Sequence, residues 1–279
     1  MVMINRLCIT RIVALVTSLG TGALLAIPAW AFTLSSSEAK FEINHFSALP
    51  LDVTALQDAN TQAIAPDGSV NSNANAKATF LTDVANQASS QATGLSSSIV
   101  SGSGNDYSGL AQSVAQVIGS RFQIESGETF SFAFNASLNL NTSIDQSNIE
   151  TAAAIGTISL GLYDADDPIN LILLDFFTIA GSLGTSGSNA LTVDQSDGIT
   201  LSAKQISLEG FSGDRQASAS ASIQGSFSRF FTNSTSLTLV EYGLNETRVA
   251  AVPEPSSVLA SLLGISLIGI RFWRKSKLN

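Results

Sequence analysis

Cysteine is almost missing from this 279-residue chain: Cys8 is the single one, in the extreme N-terminal segment. The rest of the chain therefore has no disulfide, thiol nucleophile or thiolate metal site to offer. Histidine is equally scarce. His45 stands alone after Phe41 and Ile43 at alternate positions, so it is expected on a strand with its ring partly packed. A lone histidine makes no triad without a nucleophile, and no Gly-x-Ser-x-Gly elbow is present. The two tryptophans, Trp30 and Trp273, lie near the ends, and the tyrosines are only Tyr107, Tyr163 and Tyr242. So thin an inventory points away from an enzyme, and no cofactor is expected. Positive charge is short as well. Residues 32–255 carry 7 Lys and Arg against 22 Asp and Glu. A body this acidic is repelled by phosphate backbones, which excludes nucleic acid as a partner.

What is present is segregated by position. Arg6 and Arg11 precede the apolar run Ile12–Ile27, Pro28 breaks it, and Ala29-Trp30-Ala31 follows. That order reads as a secretory signal with cleavage after Ala31 and Phe32 as the mature N-terminus. At the other end, Val252-Pro253-Glu254-Pro255 precedes the uncharged run Ser256–Ile270, then Arg271, Trp273, Arg274 and Lys275. The paired prolines force an extended chain before the apolar helix. Fifteen residues reach only about 22 Å. Snorkelling of the flanking cations and local bilayer thinning extend that toward a full span.

Val252, Pro253, Glu254 and Pro255, with the short helix and the basic stop Arg271, Arg274 and Lys275, resemble the PEP-CTERM sorting signal. The resemblance covers residues 252–279. It implies processing near Pro253–Pro255 by an exosortase, a membrane-embedded cysteine transpeptidase-like enzyme. It also implies a membrane-inserted precursor held by its C-terminal helix, then a surface or extracellular destination associated with polysaccharide and biofilm. The texture of the body, with its Phe-Ser-Phe strand and its Ala/Ser alternation, resembles uncharacterised exported carriers of that signal.

The body alternates apolar and polar residues with period two. Even positions of Thr129–Leu140 read Phe130, Phe132, Phe134, Ala136, Leu138 and Leu140, which predicts a strand with one face in a core. Ala152–Leu162, Ala217–Phe227 and Leu237–Tyr242 alternate likewise, whereas Leu171–Ala180 is apolar on both faces, as a central strand or one covered on both sides would be. Clusters of Gly, Asn, Asp and Ser fall between these runs as turns. Residues 68–104 are mostly Gly, Ser, Asn, Ala, Thr and Gln and predict long loops with weak edge strands. Leu110–Ile118 suits a helix by composition and a strand by context, and strand is preferred. The expected fold is all-β: a single antiparallel sandwich or jelly roll of roughly seven to ten strands over residues 40–245. A signal helix (1–31) and a transmembrane sorting helix would flank a body of 32–248, with the sorting segment at 249–279.

Two further patterns are candidate sites. Asp164, Asp166 and Asp167 could offer oxygen ligands to calcium, but Ile169 stands where an EF-hand loop needs glycine. The loop is therefore read as an Asp/Asn/Pro turn, and no metal site is assigned. Asn135, Asn141, Asn233 and Asn245 match the glycosylation acceptor pattern, near chance expectation in a chain this rich in Asn, Ser and Thr. The function expected is a non-catalytic exported surface or matrix protein. The alternative is a carbohydrate- or calcium-dependent binding module with a specific ligand.

Overall fold

The computed structural model describes residues 32–252 apart from Pro168, Ser186, Ser188 and 211–214. The signal segment and the sorting segment from Pro253 onward lie outside the described residues. Ten antiparallel strands make up the fold: β1 (Phe32–Asn44), β2 (Asp52–Leu81), β3 (Gln91–Ile124), β4 (Thr129–Ser143), β5 (Glu150–Asp164), β6 (Ile172–Gly184), β7 (Ala190–Gln195), β8 (Ile199–Glu209), β9 (Gln216–Phe230) and β10 (Thr235–Ala251). They form one sheet in the order β7-β6-β5-β10-β3-β1-β4-β9-β8, with β2 along the other side of β3.

This single sheet makes both layers of a sandwich because β2 and β3 bend together. Residues 92–103 of β3 pair with β1, and residues 107–124 pair with β10. The first layer contains β1, β4, β9 and β8; the second contains β10, β5, β6 and β7. Across the interior β1 faces β10 and β5, while β6 faces β4 and β9. The two ends of the sheet, β7 and β8, are joined by the turn Ser196–Gly198 and nearly close the structure into a flattened barrel.

The bend requires glycine twice. Gly68 and Gly104 oppose each other across the hairpin with φ of 151° and 120°. A Cβ on Gly68 would strike the Ser103 carbonyl, and one on Gly104 would strike the Gly68 Cα. Beyond the bend the inward parity changes, from Ala92, Gly94, Ser96, Ser98, Val100 and Gly102 to Tyr107, Gly109, Ala111, Ser113, Ala115 and Val117. A second irregularity at Arg121, φ 58°, changes it again and turns Phe122 and Ile124 inward. The small residues follow from the fold-back. The Tyr107 ring lies where a Cβ on Gly102 would stand, Val100 does the same at Gly109, and Ser98 Oγ is 3.1 Å from Ser113 Oγ.

Long loops over 68–104 are therefore not what forms. That segment is the second half of β2 and the first half of β3, joined through a single 3-10 turn at Gln87–Ser89. It reads as low complexity because its inner positions can hold only small side chains. Other expectations need smaller corrections. The strands extend past 40–245, to Phe32 and Ala251, and β10 takes buried Val249 and Ala251 out of the linker. β6 is second from an edge instead of central, with Ile172 and Leu173 exposed and Asp175 buried. His45 is exposed with φ 56° in the turn after β1, not on the strand. Leu110–Ile118 is strand, as preferred.

The alternating faces behave as expected. Phe130, Phe132, Phe134, Leu138 and Leu140 are buried, as are Ala219, Ala221, Ile223 and Phe227. Phe132 stacks on Phe227 at 5.1 Å, and Phe134 meets Phe177 of the opposite layer at 4.8 Å. Phe132→Ala should cost about 3–5 kcal/mol, whereas outward Ser220→Ala should stay within about 0.5 kcal/mol. Urea unfolding of both variants checks this, and equal losses would contradict the assigned faces.

Candidate functional site

The interior has an apolar end and a polar end. At the apolar end Phe46, Phe122, Phe130 and Phe132 pack ring against ring. Toward the polar end the inward positions of β1 read Ser37, Ser35 and Thr33. Asn245 of β10 is completely buried and fully engaged. Its Nδ2 donates to Ser96 O at 2.7 Å and to Ser96 Oγ at 2.6 Å, while its Oδ1 accepts from Ser37. Asn245 is therefore sealed as a glycosylation acceptor, whereas Asn135 and Asn141 lie outward on β4 and Asn233 is exposed in a turn.

At the end of this polar seam, buried Glu150 gathers four donors. Its Oε1 accepts from Thr33 Oγ1 at 2.8 Å and Tyr107 Oη at 3.1 Å. Its Oε2 accepts from the N–H groups of Asp145 and Gln146 at 2.8 and 2.6 Å. Desolvation pushes the Tyr107 phenol well up, and the negative Glu150 and Asp145 add to the shift. The cluster is a closed network of satisfied groups.

Two charged positions escape a reading by alternation alone. Asp175 interrupts an apolar run, yet it ties the layers together. It pairs with Arg229 Nη1 of β9 at 2.8 Å and accepts from Ser196 Oγ at 2.8 Å and Gly198 N–H at 3.2 Å. A lone Asp among Leu and Phe, with a lone Arg in Ser228-Arg229-Phe230, is the signal that could have found it. Glu241 alternates inward with Leu237 and Leu239 and is 2% exposed, with neither carboxylate oxygen hydrogen-bonded. It lies against Gly94, where a Cβ would displace it, and its strand neighbours are Val117 and Leu160. No titratable side chain stands at those positions, so burial alone pushes its pKa up to about 8.

The acidic loop is a turn in its bonding. Asp164 Oδ1 accepts from Asp166 N–H at 3.0 Å, and Asp166 Oδ1 accepts from Ser236 N–H at 2.7 Å. Asp167 accepts from Asn170 Nδ2 at 2.7 Å and Ile169 N–H at 2.9 Å, bonds that hold its carboxyl below the usual range. Among the described residues, no three His, Cys, Asp or Glu side chains converge as metal ligands.

The outer faces differ. On the second layer Ile118, Val240, Gly161 and Phe176 lie in register across β3, β10, β5 and β6, joined by Tyr242 and Leu244. A shallow groove of about 450 Å³ there is lined by Ile64, Leu110, Ala153 and Ala250, with Arg248 its one ionisable side chain. On the first layer a row runs across six strands as Asn75, Ser97, Glu38, Asn139, Ser220 and Ser207. The adjacent rows read Asn73, Ile99, Ser36, Asn141, Ser218 and Glu209 on one side and Lys77, Leu95, Lys40, Ser137, Ser222 and Gln205 on the other. Each of these hydroxyls and amides both donates and accepts. They repeat about every 4.8 Å between strands and about 6.8 Å along them.

Comparison with protein-family models, with curated proteins and with solved structures finds no match.

The buried carboxyl sets a pH dependence. Between about pH 4.5 and 8 folded Glu241 keeps a proton that the unfolded chain has released. Stability therefore falls as pH rises through that window and is level above it. Glu241→Gln should remove this slope and exceed the parent at pH 9 by on the order of a few kcal/mol. Urea midpoints of both chains at pH 5, 7 and 9 check it; parallel profiles would contradict it.

Proposed function

We propose that this protein is a non-catalytic, exported surface or extracellular-matrix component whose sandwich contacts polysaccharide. Its precursor is held in the membrane by the helix at Ser256–Ile270 and processed near Pro253–Pro255 by an exosortase-like enzyme. The signal helix and the sorting helix flanking the body belong to this reading, as does cleavage between Ala31 and Phe32. The observation that carries it is the polar face of the first layer. Six strands wide, it offers short hydroxyls and amides in shallow grooves, with Glu38, Lys40 and Ile99 among them, and these match a hydroxyl-rich polymer repeatedly. The calcium-dependent alternative draws less support, because the Asp164–Asp167 carboxylates are spent on their own turn and on Ser236.

Fractionation of a producing strain tests the address and the contact together. The wild-type chain should leave the cytoplasm, have its mature mass reduced at both ends and co-sediment with the secreted polysaccharide. A chain ending at Val252 keeps all of β10 and should fold, be exported and be released from the membrane. Changing Pro253 and Pro255 to Ala should leave unprocessed precursor in the membrane. Asn139→Ala with Ser220→Ala, which adds no charge beside Glu38, should lower co-sedimentation several-fold with little change in melting temperature. Wild-type protein found in the cytoplasm, or free of the polymer, would overturn the proposal.

A further inference from the structure

The first described nitrogen of the chain lies against a carboxylate. Phe32 opens β1, opposite Ser103 of β3, and its N–H donates to Asp145 Oδ2 at 3.1 Å. One residue on, the Thr33 hydroxyl donates to Glu150 Oε1 at 2.8 Å. Two carboxylates thus flank the start of β1, and Asp145 is joined to Glu150 through its own N–H. The remaining titratable group facing them is Tyr107, which is neutral and donates to Glu150. Arg215 contributes a carbonyl nearby, accepting from Ile144 N–H at 2.8 Å. Among the described residues no Lys or Arg pairs with Asp145 or Glu150. Among the described residues the site carries negative charge and no cation.

We infer that Asp145 is the seat of the α-ammonium group created at Phe32 when residues 1–31 are removed. The inference rests on the export reading above. Hydrolysis of the Ala31–Phe32 bond adds water: the Ala31 carbonyl carbon takes the hydroxyl and the Phe32 nitrogen takes the proton. A neutral peptide N–H becomes a cation, and the hydrogen bond to Asp145 becomes an ion pair. The mature chain thereby gains a counter-charge for the acidic pair at the end of β1, the strand that joins β3 to β4. Cleavage would fasten that strand as well as release its leader.

The test uses the full chain, wild type and Asp145→Asn, exported by a bacterial host and collected outside the cytoplasm. Mass spectrometry of the terminal peptide reads the first residue. The rate of α-amine acetylation by acetic anhydride against pH gives the α-amine pKa. Both chains should begin at Phe32. The wild-type α-amine should titrate above the ordinary range of about 7.7–8.0, and at least about half a unit above that of Asp145→Asn. Equal values in two folded chains that both begin at Phe32 overturn the seat and leave the export reading intact. A different first residue overturns the seat together with cleavage between Ala31 and Phe32, because no α-ammonium group is then created at Phe32.

Discussion

Everything in this fold follows from β3 bending back over itself. A strand of 34 residues cannot remain flat in a body this size, and its two halves become neighbours in opposite layers. For that the inner positions must be small, which is why Gly94, Ser96, Ser98, Gly102, Gly109 and Ser113 stand where other strands carry Phe and Leu. The bend places β1 over β10, and the remaining strands extend both layers outward from that pair.

Close approach has a chemical consequence. Where large apolar side chains cannot fit, short polar ones fill the interior, and each must be paired. Asn245 does this for Ser37 and Ser96, and Glu150 does it for Thr33 and Tyr107. The hydroxyls of Thr142 and Thr247 are exceptions, and Glu241 is the costliest: a carboxyl buried beside Gly94 without a partner, held neutral by desolvation. The phenylalanines at the other end supply the apolar burial that makes these costs tolerable.

Much of the architecture was legible in the residues. Period-two runs over 129–140, 217–227 and 237–242 identified strands and their inward faces, because there burial is carried by Phe, Leu and Ala in strict alternation. Residues 68–104 were not legible. Hydrophobicity measures apolar area, and at the fold-back size matters instead, so Ser and Gly at alternate positions look like a loop. Asp175 and Glu241 were hidden for a related reason. The inward position of Glu241 followed from alternation and that of Asp175 did not, and the partners of Asp175, like the lack of any for Glu241, come from strands distant in sequence. The polar face of the first layer was present in the alternation as the outward Ser and Asn; only the strand order sets them side by side.

The wide polar surface and the tightly folded hairpin are two sides of one arrangement, since the sheet can present six strands in its first layer only if β2 and β3 serve both layers. The most direct measurement is a crosslink between the halves of β3. With Ser98→Cys and Ser113→Cys in a Cys8→Ser background, the 3.1 Å between the native hydroxyl oxygens predicts that mild oxidation closes one intramolecular disulfide in the folded chain. Two free thiols titrating in the native, oxidised protein would mean that β3 does not fold back, and the account would fail.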